Sequence, residues 1–154
     1  MLFLKVREIM IKEVISIDLE ASVKDAANLM AQHEIGSLVV TEKRKPVGII
    51  TERDLLTRVL ATGKHAEATD VKAIMSKPLI CGNPEMDADE TARYMATKNI
   101  KKLPIVENGR LIGIMTLTDL CTVQPDLAKV IEEETRGKIP KRFIKRLSKR
   151  YFHT

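Results

Sequence analysis

Hydrophobic positions switch between two periods along this chain, and the switching pattern runs through twice. Val6 to Met10 is a short apolar lead-in, and Val14 to Ile17 reads as a first strand. From Ser22 the apolar residues Val23, Ala26, Ala27 and Met30 recur at helical spacing, which predicts a helix to about Gln32 or His33. Ser22 is a natural N-cap with Asp25 three residues on, and Gly36 breaks the run. Ser37 to Thr41 is apolar almost without interruption, as a buried strand is, and Val47 to Thr51 follows across the charged turn Glu42–Pro46. A second helix starts at Thr51 and runs through Leu55, Leu56, Val59 and Leu60, with Gly63 as its C-cap. Residues 64–70 form a polar connector.

The same order returns 65 residues later without a gap. Gly48-Ile49-Ile50-Thr51-Glu52-Arg53-Asp54-Leu55 returns as Gly113-Ile114-Met115-Thr116-Leu117-Thr118-Asp119-Leu120. Val6 falls on Val71, Ile9-Met10 on Ile74-Met75, and Met30-Ala31 on Met95-Ala96. Self-similarity on this scale decides the architecture. The second copy predicts a strand at Pro78–Cys81, a helix over Asp87–Lys98, and strands at Lys102–Val106 and Leu111–Thr116. Asn108-Gly109 is a strong hairpin signal between the last two. A final helix begins near Thr116, a short one covers Pro125–Glu134, and another covers Pro140–Phe152. Each copy therefore reads β-α-β-β-α, an α+β protein with repeats at 1–65 and 66–121 and a basic helical tail at 122–154. A unit of about fifty residues is marginal on its own, so the two copies are expected to bury their apolar faces together.

Composition adds bounds. Hydrophobic residues make up 44% of the 154 and charged residues 31%, which suits a globular protein. Aromatics are only 3%, so aliphatic side chains must fill the core. The N-terminus lacks a signal-peptide layout and no apolar run approaches a membrane span, so a cytoplasmic protein without membrane attachment is expected. Cys81 and Cys121 read as reduced thiols, and the scattered His33, His65 and His153 give no metal spacing. Charge is unevenly spread. Eight of the 26 bases lie beyond Thr135 with no acid among them, leaving 18 bases against 21 acids, a net of −3, for the rest. A mildly acidic body with a basic arm is a different object from a uniformly basic protein.

The doubled β-α-β-β-α units, the Met-containing lead-ins and the Gly-x-x-Thr-x-x-Asp closings resemble a tandem pair of cystathionine β-synthase (CBS) domains over roughly residues 6–121. The run Ile100-Lys101-Lys102-Leu103-Pro104-Ile105-Val106 is similar to that family's central strand. The resemblance implies one pseudo-two-fold regulatory (Bateman) module, a homodimer of such modules, and an adenosine-containing ligand in the cleft between repeats. AMP, ADP or ATP is implied, with S-adenosylmethionine in some members. It also implies roles for residues. Thr51 and Asp54 in the first site, and Thr116 and Asp119 in the second, would hold phosphate and ribose. Ser16, Ile17, Leu38 and Val39, and in the second copy Ile80, Cys81, Leu103 and Pro104, would wall the adenine.

The residue chemistry agrees with binding. A strand running into a helix start offers N–H groups and a positive dipole end, and an ionised Asp accepts from both ribose hydroxyls. Both Thr-x-x-Asp sequences are equally good helix caps, and dual use is the reading adopted. Arg53 gives the first site a phosphate partner where the second has Thr118, while Lys101 and Lys102 stand where the first has Gly36 and Ser37. The first site is the expected binder. Lys101 and Lys102 read equally well as a solvated pair. No nucleophile–base pair, metal cluster or Walker-type loop is present, so no catalysis and no catalytic cofactor are expected.

The arm at 136–154 admits a packing or dimer role through Phe143, Ile144, Leu147 and Tyr151, or nucleic-acid binding through its bases. An adenosine-nucleotide sensor is the leading function. A nucleic-acid-binding regulator that uses the tail is the alternative.

Overall fold

A computed structural model describes residues 4–135 of the protein. The expected helix over Pro140–Phe152 lies outside the described residues. The chain is α+β, with elements in the order α1 (Val6–Ile9), β1 (Ser16–Asp18), α2 (Val23–His33), β2 (Ser37–Glu42), β3 (Lys45–Thr51) and α3 (Glu52–Leu55). A π-helical turn, Leu56–Leu60, follows, then α4 (Val71–Ile74), α5 (Ala88–Lys98), β4 (Lys102–Glu107), β5 (Arg110–Thr116), α6 (Leu117–Val123) and α7 (Leu127–Thr135).

The chain divides into two compact units. One comprises residues 13–80 with 108–111, and the other, among the described residues, 4–12, 81–107 and 112–135. Along the sequence each lead-in precedes its own repeat, but in the fold it belongs to the other copy. Val71 N–H donates to Ala21 O (2.8 Å) and Lys72 N–H to Leu19 O (2.9 Å) in the first unit. The equivalent bonds in the second run from Val6 to Met86 O (2.8 Å) and from Arg7 to Pro84 O (3.1 Å). The cause lies partly in the motif glycine. A Cβ on Gly48 would stand 2.8 Å from Met75 Sδ and 3.0 Å from Ser76 O. One on Gly113 would stand 2.8 Å from Met10 Cγ and 3.1 Å from Ile11 O. Without a side chain there, each lead-in methionine packs closely on the strand and the residue after it bridges to that strand, Ser76 to Ile49 and Ile11 to Ile114.

In the first unit β1 pairs parallel with β2 (Ser16↔Val39, Ile17↔Val40), and β2 antiparallel with β3 (Ser37↔Thr51, Leu38↔Ile50). Its core gathers Ile17, Val23, Ala26, Met30, Leu38, Val40 and Ile50 beneath the sheet, closed by Val59, Val71 and Ile74. In the second unit β4 and β5 form a two-stranded sheet. The strand expected at Pro78–Cys81 does not form. Its place is taken by a single parallel bridge, Gly82 to Ile105. The residues explain the loss: Pro78 has no N–H to give, and Gly82 and Pro84 occupy the places of Ile17 and Leu19.

Both long helices are capped, the first by Ser22 as expected and the second by Asp87. Ser22 Oγ accepts from Asp25 N–H (3.1 Å) and Asp87 Oδ1 from Glu90 N–H (2.7 Å). The helix expected from Thr51 through Leu60 is not uniform. After Leu55 it widens, and Ala61 N–H bonds to Leu56 O five residues back (2.9 Å). Thr57 and Thr62 hydroxyls donate to the carbonyls of Arg53 and Arg58, a local competition that distorts helices. α7 packs on α5, burying Leu127, Ala128 and Ile131 and joining Arg93 to Glu134 at 3.0 Å.

Cys121 is fully buried and Cys81 exposed. Burial pushes the Cys121 thiol up to about 11, which removes its thiolate at neutral pH. One thiol, Cys81, is expected to react with a disulfide reagent in native protein, and two after denaturation. A native count of two would contradict the packing of α6.

Candidate functional site

Two repeat-related candidate sites lie where β3 runs into α3 and where β5 runs into α6. In the first, Ser37 lies opposite Thr51 in the sheet, and Glu52 N–H donates to Gly36 O at 3.0 Å. In the second, Leu117 N–H donates to Lys101 O at 3.0 Å. The start of each central strand is thereby held against its Thr-x-x-Asp turn. The threonines cap: Asp54 N–H donates to Thr51 Oγ1 (3.2 Å) and Asp119 N–H to Thr116 Oγ1 (3.0 Å). These N–H groups are satisfied within the protein.

Of the predicted adenine walls in the first site, Ile17 and Leu38 belong to the core beneath the sheet. Ser16 and Val39 are in register with each other; Ser16 is exposed and Val39 buried. Arg53 is exposed. In the second site Leu103 and Pro104 are buried, Lys102 is half-buried, and Gly82 N–H donates to Pro104 O (2.9 Å). That bond brings the exposed Cys81 beside Pro104, with the half-buried Ile80 next in the chain.

The two aspartates differ sharply. Asp54 is 6% exposed, and its carboxylate accepts from Thr51 N–H (3.0 Å), Thr51 hydroxyl (3.1 Å) and Ser76 hydroxyl (3.4 Å). Arg58 lies 3.7 Å away and donates as well to Ile74 O (2.9 Å). Asp119 Oδ2 is buried with no partner, the one such side-chain atom among the described residues. Sequence reasoning missed the reason. Ser76 and Arg58 correspond, one repeat away, to Ile11 and Val123. The second copy thus lacks both the Ser76 hydroxyl that donates to Asp54 and the Arg58 guanidinium that offsets its charge, and an unpartnered buried carboxylate oxygen is costly unless something external meets it.

Comparison with known proteins decides the family. The CBS domain matches twice, over residues 6–61 and 71–126. The chain belongs to the CBS-domain family. The uncharacterized protein MK0525 of Methanopyrus kandleri is 41% identical over 133 residues, covering 85% of this chain and 68% of that one. The CBS domain-containing protein YhcV of Bacillus subtilis is 35% identical over 119 residues, covering 77% and 84%. Among solved structures, the hexameric CBS-CP12 protein from bloom-forming cyanobacteria superposes with a TM-score of 0.70 at 27% identity, covering 97% of this chain and 96% of that one. CBS pairs are regulatory modules that often bind adenosine ligands. No helix among the described residues of this CBS pair is long and apolar enough to cross a membrane.

Proposed function

We propose that this CBS pair is a non-catalytic sensor of an adenosine nucleotide, with Thr116 and Asp119 as the primary site and Thr51 and Asp54 as the weaker one. The unpartnered Oδ2 of Asp119 carries the reading. A ribose hydroxyl pair would satisfy it, whereas the equivalent oxygens of Asp54 already hold protein donors. Cys81, Pro104 and Lys102 lie on the adjoining segments and would meet base and phosphate. AMP, ADP and ATP are the ligands of choice, and S-adenosylmethionine is the adenosine ligand that brings no phosphate. Ligand would regulate by binding one arrangement of the module better than another. Calorimetric titration with these four compounds tests the proposal. Saturable binding of at least one supports it, and the absence of heat from all four overturns it.

The partner we infer is a second copy of the chain. An apolar groove of about 480 Å³ is lined by Ala27, Ala31, Ile35, Leu55, Leu56 and Leu60 in the first unit. Leu60 is 74% exposed and Leu56 58%, an arrangement that invites cover. Leu60→Asp is expected to convert a dimer into a monomer in light scattering without lowering the melting temperature of the monomer. An unchanged mass would place the interface elsewhere. Nucleic-acid binding through the basic segment at 136–154, which lies outside the described residues, is separated by its own result: salt-dependent RNA or DNA binding lost on truncation at Gly137.

A further inference from the structure

The two hairpin turns are equivalent in the repeat, yet they are built from opposite materials. The β4–β5 turn is Asn108-Gly109, with φ of 52° and 76°, the residues this left-handed turn favours. The β2–β3 turn holds Lys43 and Arg44 in the same region, with φ of 48° and 68°. Residues with a Cβ are disfavoured there, and two long cations in succession are a poor choice for the turn alone. Strain held at an exposed turn points to a use for the side chains.

Those side chains surround a space. Lys43, Arg44 and Lys45 line a cavity of about 500 Å³ together with Arg110 and the Asn-Gly turn before it. All these residues belong to the same compact unit. Four cations and no carboxylate line the cavity. Among the described residues none of the four forms an ion pair; those pairs involve Arg7, Arg58, Lys72 and Arg93. Glu42 is in register with Lys45 without pairing to it, and Glu107, beside the second turn, is held by Arg7. Because the chain as far as Thr135 carries a net −3, this concentration of positive charge is local and not a trait of the whole surface.

We propose that the hairpin turns form a further ligand site, distinct from both Thr-x-x-Asp sites, that takes an oligophosphate: several linked phosphates, either an inorganic chain or the tail of a nucleoside triphosphate. The volume is of the order that small-ligand sites occupy. Two guanidinium groups can clamp phosphate oxygens bidentately, with the lysines as point charges beside them. Four unpaired cations call for more negative charge than one phosphate supplies. No residue is shared with the adenosine site, so the two proposals stand or fall separately.

The test is calorimetric titration of the full chain with inorganic tripolyphosphate at low ionic strength, for wild type and for Lys43→Asn/Arg44→Gly. That double substitution installs the residues of the second turn and leaves the basic segment at 136–154 untouched. Tripolyphosphate is expected to bind wild type and to bind the variant about tenfold more weakly or worse, as loss of charge-assisted contacts requires. AMP affinity stays unchanged and the melting temperature rises, because the turn is relieved of strain. Arg110→Ala, which leaves the strained turn alone, weakens tripolyphosphate in the same direction. In Asp119→Ala protein, competition by ATP against tripolyphosphate would identify the nucleotide tail as a ligand, and its failure the inorganic chain. The proposal is overturned if wild type does not bind tripolyphosphate, or if both variants bind it as tightly as wild type.

Discussion

Asp54→Ala is expected to lower stability by about 3 kcal/mol, whereas Asp119→Ala leaves stability unchanged or raises it. The first substitution removes a capping side chain, worth roughly 1 kcal/mol, and strips buried donors of an acceptor at about 1–3 kcal/mol more. The donors are Thr51 N–H and the hydroxyls of Thr51 and Ser76, with Arg58 left facing an apolar methyl. Asp119 carries no such load: the cap comes from Thr116, which survives the change, and Oδ2 bonds to nothing. Removing a buried oxygen without a partner relieves a cost. Denaturant melts of the two variants measure the difference, and equal destabilisation would contradict the unequal wiring of the two sites.

Overpacking the motif glycine should be the other large effect. Gly113→Val is expected to lose about 1–3 kcal/mol, the usual range for forcing methyl groups into a filled space. The side chain would run into Met10 and the carbonyl of Ile11, both on the lead-in. Met10→Ala makes room on one side, so the double variant should recover part of the loss, although Met10 is itself buried and costly to truncate. Coupling between the two substitutions, read from a double-mutant cycle, reports the contact directly. Strict additivity would mean that the lead-in does not lie on Gly113. Gly48→Val with Met75→Ala repeats the experiment in the other copy.

Much of this fold can be read from the chain because the repeat announces itself. The capped helices after Ser22 and Asp87, the Asn108-Gly109 hairpin and the strand-to-helix turns at Thr51 and Thr116 are local features, written in neighbouring residues. Three features were not read from the sequence, for different reasons. The exchange of lead-ins between copies leaves no local trace, since a sequence repeat looks the same whichever copy its first segment joins. The failed strand at Pro78–Cys81 was legible in principle from Pro78, Gly82 and Pro84, but the analogy with the first copy outweighed them. The inequality of the aspartates depends on Ser76 and Arg58. Ser76 lies 22 positions from Asp54, and its relevance appears only once the segment after α4 is placed beside β3. With those partners known, Ile11 and Val123 in the second copy become informative.

The residues that carry charge divide along the same line. Arg53 is exposed near the first site, while Arg58, which drew no notice in the sequence, is the arginine that faces Asp54. The Lys43-Arg44 segment reads in the sequence only as part of a charged turn, and its left-handed backbone marks it out.

The central claim is that Asp119, and not Asp54, is the carboxylate left for a ligand. Calorimetric titration of AMP into wild type, Asp54→Ala and Asp119→Ala tests it most directly. A tighter binding phase that is lost in Asp119→Ala and kept in Asp54→Ala, corrected for any unfolded fraction, is the predicted result. Loss in folded Asp54→Ala with full affinity in Asp119→Ala would contradict it and return the binding role to the first site.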